Sequence, residues 1–291
     1  MHSLKELLEF AARNQTYLHG REKREESMTD TAPEHRSVSQ YNTYQKCPYA
    51  YKLGRIDGVW SRPAAWLAQG SAVHEAAEAW ERTFRQMTIP EAQNVFRSSY
   101  ETHINEMCET TPDFNRWFAS GPYKGEQDVE RRYDIGLAHI ETYINYYQNH
   151  TDEVIWVDPI TGVPGIELAF DILLDGVLVR GFIDAVIQHG EDLIVRDLKT
   201  GTKPGDEFQL ATYSVGINEV YKIQPNKLEY FMSKTGTIID HPLMGWSKEK
   251  VSSMFTELET NIKEGRFDPK PSQSNCRFCD VSDSCEFRWR K

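Results

Sequence analysis

With 291 residues, 39% of them hydrophobic and 12% aromatic, the chain can bury a substantial core and reads as an ordinary globular protein. No apolar run approaches the roughly 20 residues that cross a bilayer. The opening MHSLKELLEF also lacks the order of a signal peptide, so a cytoplasmic protein with no membrane partner is expected. The net charge of −11 argues against a non-specific nucleic-acid coat, but not against an enzyme that gathers carboxylates around divalent cations.

Residues 1–36 are charged, with REKREE at 21–26 before a Thr/Pro-containing stretch, and read as a mobile N-terminal arm. Ser39 suits the N-cap of a short helix that Cys47-Pro48 ends. From about 65 to 85, Ala72, Val73, Ala76, Ala77 and Trp80 form an apolar stripe at helical spacing, and Gly70, His74 and Glu78 share another face. Residues 86–150 form a helical lobe, broken near Thr111-Pro112 and Gly121-Pro122. Three strand candidates follow, 165–174, 177–188 and 192–199. Turns at Asp175-Gly176 and around Gly190 join them into an antiparallel meander. A helix over 206–221, a strand over 227–233 and a helix over 247–264 lead to a polar, cysteine-rich tail and a basic end, 286–291. The expected fold is α/β: a mixed central sheet with an antiparallel meander, flanked by helices, in one domain over 37–285 with its core at 165–240.

The meander carries the most informative chemistry. Residues two apart on a strand share a face, so Asp197 and Lys199 point together, and the turn at Gly190 folds the strand bearing Asp184 alongside. Two carboxylates can hold Mg²⁺ or Mn²⁺ with positions left for water and phosphate, and an ammonium can stabilise a phosphoryl transition state. On spacing alone, a surface strand with a cross-strand charge pattern describes these residues equally well.

Four motifs together resemble the PD-(D/E)xK nuclease superfamily in its RecB-like branch. D-L-K at 197–199 matches the acid-x-Lys triplet, and G-F-I-D at 181–184 matches the preceding G-x-x-D. Q-L-A-T-Y at 209–213 matches the downstream Q-x-x-x-Y, and G-S-A-V-H at 70–74 matches the upstream G-x-x-x-H. The resemblance implies a restriction-endonuclease-like core with a catalytic set of Asp184, Asp197, Lys199, Gln209 and Tyr213. It further implies one or two Mg²⁺ or Mn²⁺ ions on His74, Asp184, Asp197 and the Leu198 carbonyl, with Lys199 assisting the attacking water. Gln209 is expected to orient Lys199 or contact DNA, and Tyr213 to contact DNA or pack beneath the site. Glu167 has a weaker claim, and Glu78 reads better as a solvated or core-edge residue.

Five cysteines in a chain without secretory signals suggest a metal or cluster rather than disulfides. Cys276-x2-Cys279-x5-Cys285 needs a fourth ligand, which Cys47 offers. Spacing leaves zinc and an iron–sulfur cluster competing. Iron–sulfur members of the RecB-like branch, among CRISPR-associated and recombination nucleases, place one cysteine before the core and C-x2-C-x5-C after it. That resemblance implies a 4Fe-4S cluster on Cys47, Cys276, Cys279 and Cys285 that clips the domain ends together, with Cys108 a buried thiol. Lys46, Lys52, Arg55, Arg62, Arg277, Arg288 and Arg290, interleaved in part with Tyr41, Tyr44, Tyr49 and Tyr51, suit single-strand contacts or else a solvated surface with the tyrosines packed inward. The expectation is a metal-dependent DNA exonuclease acting on single-stranded or frayed ends in recombination, repair or phage DNA processing. A non-cleaving DNA-end adaptor and a zinc-stabilised protein are the rivals. No phosphate-binding G-x-x-x-x-G-K-[ST] loop is present, so a helicase or recombination partner would supply any unwinding.

Overall fold

The computed structural model describes residues 34–290, and the expected arm falls almost entirely outside them. Helix α1 (Val38–Lys46) begins two residues earlier than its sequence signal suggests, because Ser37 is the extended cap whose side chain accepts from Gln40 N–H. Ser39 instead shares a hydroxyl contact with Ser37. Pro48 starts a second short helix, α2 (Pro48–Tyr51), where a missing N–H costs nothing.

The long helices α3 (Ala65–Arg82), α4 (Ile89–Thr110) and α5 (Glu126–Asn149) pack on one another. Thr88 and Glu91 form a reciprocal capping box that fixes where α4 starts. The connection between α4 and α5 holds a single 3-10 turn, Phe114–Arg116, at the predicted Pro and Gly breaks. Gly136 lets α5 approach α4, since a Cβ there would lie 2.0 Å from Phe96 Cζ. Phe96 is fully buried, so its ring has little room to move aside. Gly136→Ala is therefore expected to destabilise the fold by about 1–3 kcal/mol in urea titration; an unchanged midpoint would mean that the ring swings away freely.

The sheet has six strands: β1 (Val154–Ile155), β2 (Ile166–Leu174), β3 (Val177–His189), β4 (Asp192–Lys199), β5 (Lys227–Met232) and β6 (Thr237–His241). Their order is β1-β3-β4-β5-β6, with β2 also pairing β3. The pairs are antiparallel except β4 with β5, so the sheet is mixed. β2, β3 and β4 form the predicted meander. β3 is long enough to pair β2 along its first part, then β1 and β4 along its last. Helix α6 (Glu207–Tyr221) supplies the crossover that the parallel β4–β5 pair requires.

Strand alternation divides the core in two. Val195, Tyr230 and Met232 face α6 and α7 (Lys248–Lys263) through Phe208, Val251 and Phe255. Ile194, Leu198 and Phe231 face α3–α5 through Val73, Tyr143 and Tyr147. The result is a curled mixed sheet between two helical layers. Arg196 belongs to the second face and is 2% exposed, yet every arm has a partner. Its guanidinium donates to Glu229 at 2.6 and 2.9 Å and to Tyr147 at 3.0 Å, and it also pairs with Glu153. Among the described residues, no helix is long and apolar enough to cross a membrane.

Candidate active site

The end of β4 lies between α3 and α6, so residues far apart in sequence meet there. Gly70 explains how α3 comes close enough: a Cβ at that position would sit 3.3 Å from Thr200 Oγ1, just beyond β4. One helical turn later, His74 Nδ1 lies 3.4 Å from Asp184 Oδ2. Asp184 in turn accepts from Leu198 N–H at 2.7 Å. A strand residue's N–H and C=O share an edge, so the Leu198 carbonyl faces the same side.

Glu167 completes this group. Sequence reasoning gave it little weight, but ligand atoms of His74, Glu167 and Asp184 all lie within 4.8 Å of one another. Its backbone is left-handed, φ 45°, which is rare for a non-glycine residue and costs of order 1–3 kcal/mol. The β2–β3 ladder pairs Ile166 with Ala185 and Leu168 with Ile183, so Glu167 occupies the position across from Asp184. Glu78 lines the small cavity behind these residues and is paired with Arg82 at 2.8 Å.

Asp197 and Lys199 share a strand face as expected, and α6 meets them. Asp206 caps α6 by accepting from Gln209 N–H at 2.9 Å, which fixes where the Gln209 side chain emerges. Lys199 Nζ lies 2.7 Å from Asp197 Oδ2 and donates to Gln209 Oε1 at 2.8 Å. Gln209 Nε2 donates to Asp197 Oδ1 at 2.7 Å and to the Tyr213 hydroxyl oxygen at 2.9 Å. The amide can satisfy both neighbours in one orientation only, so lysine and aspartate fix each other's position through it. Lys199 Nζ also lies 5.0 Å from the centre of the Tyr230 ring.

Burial and crowding of charge polarise the group. Burial raises the Asp197 carboxyl to about 7, with Asp184 adding to the rise and Lys199 opposing it. Burial would lower His74, but Asp184, Asp197 and Glu167 outweigh it and push the imidazole up to about 9. Burial likewise opposes ionisation of Asp184, yet His74 and the Leu198 N–H hold its carboxyl below the usual range. Asp197 Oδ2 is buried without an aligned hydrogen bond despite the nearby ammonium. Carboxylate oxygens, one imidazole nitrogen and an under-satisfied buried anion fit a hard divalent cation.

Beyond Lys199 a second buried network holds the chain. Ser233 donates to the Lys199 carbonyl from its backbone N–H at 2.9 Å and its hydroxyl at 3.0 Å. His139 Nδ1 lies 3.0 Å from that hydroxyl and 3.2 Å from Gln69 Nε2. Arg132 donates to Gln69 Oε1 at 3.1 Å, which turns the amide nitrogen toward His139 and makes Nδ1 an acceptor. Burial, then Arg132 and Lys234, lower the His139 pKa from 6.5 to about 4. The unfolded chain therefore takes up a proton here before the folded one does. Stability should fall by about 3 kcal/mol as pH drops from 6.5 to 4, and His139→Asn should flatten that slope. Equal acid slopes in urea titrations of the two proteins would contradict the assignment.

The four predicted cluster cysteines also come together. Cys47, Cys276, Cys279 and Cys285 line one cavity beside Pro269 and Lys270. Lys270 N–H points at Cys47 Sγ across 3.5 Å. Burial pushes the Cys279 thiol up to about 11 and raises Cys285 as well. Four soft donors around one cavity fit a metal or cluster, whose positive charge would draw out the protons. Cys108 lies apart on α4, partly buried.

The tyrosines expected beside the basic residues mostly pack inward. Tyr44 and Tyr51 are buried, and Tyr41 lies 4.3 Å from Phe208 between ring centres. Tyr49 donates to Glu286 at 3.0 Å. Lys52 pairs with Asp57, while Arg62 and Arg288 both pair with Asp283. Arg55, Arg277 and Arg290 are exposed.

A family model described as the PD-(D/E)XK nuclease superfamily matches residues 35–286. The gene 69 protein of Mycobacterium phage L5 is 43% identical over 277 residues, 86% of this chain and 95% of the relative. The gene 69 protein of Mycobacterium phage D29 is 46% identical over 259 residues, 86% of this chain and 96% of the relative.

Proposed function

The chain belongs to the PD-(D/E)XK nuclease superfamily, and on that premise we propose that it is a Mg²⁺- or Mn²⁺-dependent deoxyribonuclease of the RecB-like iron–sulfur branch. The observation that carries this reading is the meeting of Asp184, Asp197, Lys199 and Gln209 beside His74 at one end of the sheet. His74, Glu167, Asp184 and Asp197 would hold the cation, with the Leu198 carbonyl as a further donor. A bound Mg²⁺ or Mn²⁺ polarises phosphoryl oxygens and acidifies a water.

The chain's own residues do the rest. Asp197 and Gln209 hold the Lys199 ammonium in place, and its solvent-facing side can donate to a phosphoryl oxygen or orient a water. Tyr213 supports Gln209 from beneath and is itself buried, which favours packing over DNA contact. Residues 37–285 would form one nuclease domain. Cys47, Cys276, Cys279 and Cys285 would hold a 4Fe-4S cluster that joins its ends. Exonuclease action on single-stranded or frayed ends is the finer reading, and the phage origin of the two relatives supports a role in processing phage DNA.

Anaerobically purified protein should degrade an end-labelled single-stranded oligonucleotide with Mg²⁺ or Mn²⁺ and not with EDTA. Mononucleotides released from one end would establish an exonuclease and its polarity. No cleavage with either metal, in a protein that keeps its cluster and binds DNA ends, would instead mark a non-cleaving adaptor.

A further inference from the structure

We propose that Arg277 and Phe278, between Cys276 and Cys279 of the tail, form a platform on which a base of a single DNA strand stacks before the strand reaches His74. The identity of the strand rests on the nuclease reading above; the platform rests on separate observations. Phe278 is 49% exposed, in a protein that buries most of its large apolar side chains. Phe278 is supported from beneath, edge-on to Trp66 at 6.2 Å and 6.3 Å from Phe118, which is itself buried and 5.5 Å from Trp66. An exposed ring held this way has little freedom to lose when a base stacks on it.

Charge selects the partner. The exposed Arg277 guanidinium lies over the Phe278 ring, 5.0 Å from its centre, so a base meets a planar cation and a π system as one stack. Of the acids that follow Phe278, Asp283 is paired with Arg62 and Arg288, and Asp280 accepts from the Ser61 hydroxyl. An aromatic face beside a guanidinium is how proteins bind single strands without reading sequence. Position completes the argument. Leu67, Gly70 and His74 follow at helical spacing along α3, and Trp66 precedes His74 by about 12 Å of helix. At about 3.4 Å per stacked nucleotide, three to four nucleotides span that distance.

The test is fluorescence anisotropy of a labelled oligothymidylate and a labelled blunt hairpin duplex, in EDTA so that nothing is cut. Phe278→Ala should weaken single-strand binding about tenfold and spare the duplex, and Phe278→Trp should restore it. Arg277→Ala, a surface change that tests the platform even if Phe278→Ala disturbs the tail, should reduce the salt slope by about one. In the cleavage assay, Phe278→Ala should raise KM for substrates longer than about four nucleotides and not for shorter ones. Unchanged oligothymidylate affinity in Phe278→Ala, or an unchanged salt slope in Arg277→Ala, overturns the platform. So does equal loss of single-strand and duplex binding. A protein that shows the expected binding pattern but never cleaves retains the platform and loses the nuclease reading.

Discussion

Lys199→Met is expected to lower kcat for DNA cleavage by about 10³-fold while changing DNA affinity little. The ammonium is held by Asp197 Oδ2 at 2.7 Å and Gln209 Oε1 at 2.8 Å, and the side chain is 24% exposed, so one side remains open to solvent. Methionine keeps an unbranched apolar side chain and deletes the charge, so the loss should fall on the chemical step. Single-turnover cleavage at saturating protein measures that step directly. The deletion also leaves Asp197 without its compensating charge. Lys199→Arg controls for this, since it keeps the charge but changes the donor geometry, and it should recover only a small part of the rate. Cleavage by Lys199→Met within threefold of the wild type would remove Lys199 from the mechanism. Asp184→Asn should fail by a different route, because it weakens the donor set shared with His74 and Glu167. Raised Mn²⁺ should rescue Asp184→Asn in part and Lys199→Met not at all.

Cys279→Ser is expected to abolish binding of the proposed cluster and lower Tm by an amount on the order of 10 °C. Cys47 lies between α1 and α2, while its three partners come from the other end of the domain. Other links between these ends are individually weak: hydrogen bonds such as Asn275 to the Lys46 carbonyl at 3.1 Å, Lys270 to the Gln45 carbonyl at 3.0 Å and Arg62 N–H to the Asp280 carbonyl at 2.9 Å, and ring contacts such as Tyr49 with Phe287 at 4.9 Å. Each is worth about 1 kcal/mol, far less than a multidentate metal group bound only by the folded chain. Elemental analysis of the wild type should find iron and sulfide in the proportions of a 4Fe-4S cluster. Zinc without iron would replace the cluster by a structural zinc site. A Cys279→Ser protein as stable as the wild type would show that these cysteines bind nothing needed for folding.

Local chemistry made much of the architecture legible in the sequence. Asp175 and Gly176 both adopt positive φ, 45° and 85°, and residues that tolerate this are the ones that announce a tight hairpin turn. The stripe Ala72, Val73, Ala76, Ala77 and Trp80 marks the buried face of α3, because a helix repeats every 3.6 residues. Period-two alternation likewise brings Asp197 and Lys199 to one face of β4, and the structure then brings Gln209 and Tyr213 to them.

What the tertiary structure alone decided depends on pairings between distant segments. Glu167 joins His74 and Asp184 through a left-handed residue in a strand, which no propensity signals. The link from Arg132 through Gln69 and His139 to Ser233 crosses three elements, so none of its members stands out locally. For Tyr41, Tyr44 and Tyr51 the alternation of aromatics and cations in that segment suits a stacking surface and inward packing equally well. They pack inward because α1 and α2 lie against Phe208, Phe255 and Phe267, a fact of helix docking rather than of sequence spacing. Periodicity reports which residues share a face; what covers that face is settled only when the layers meet.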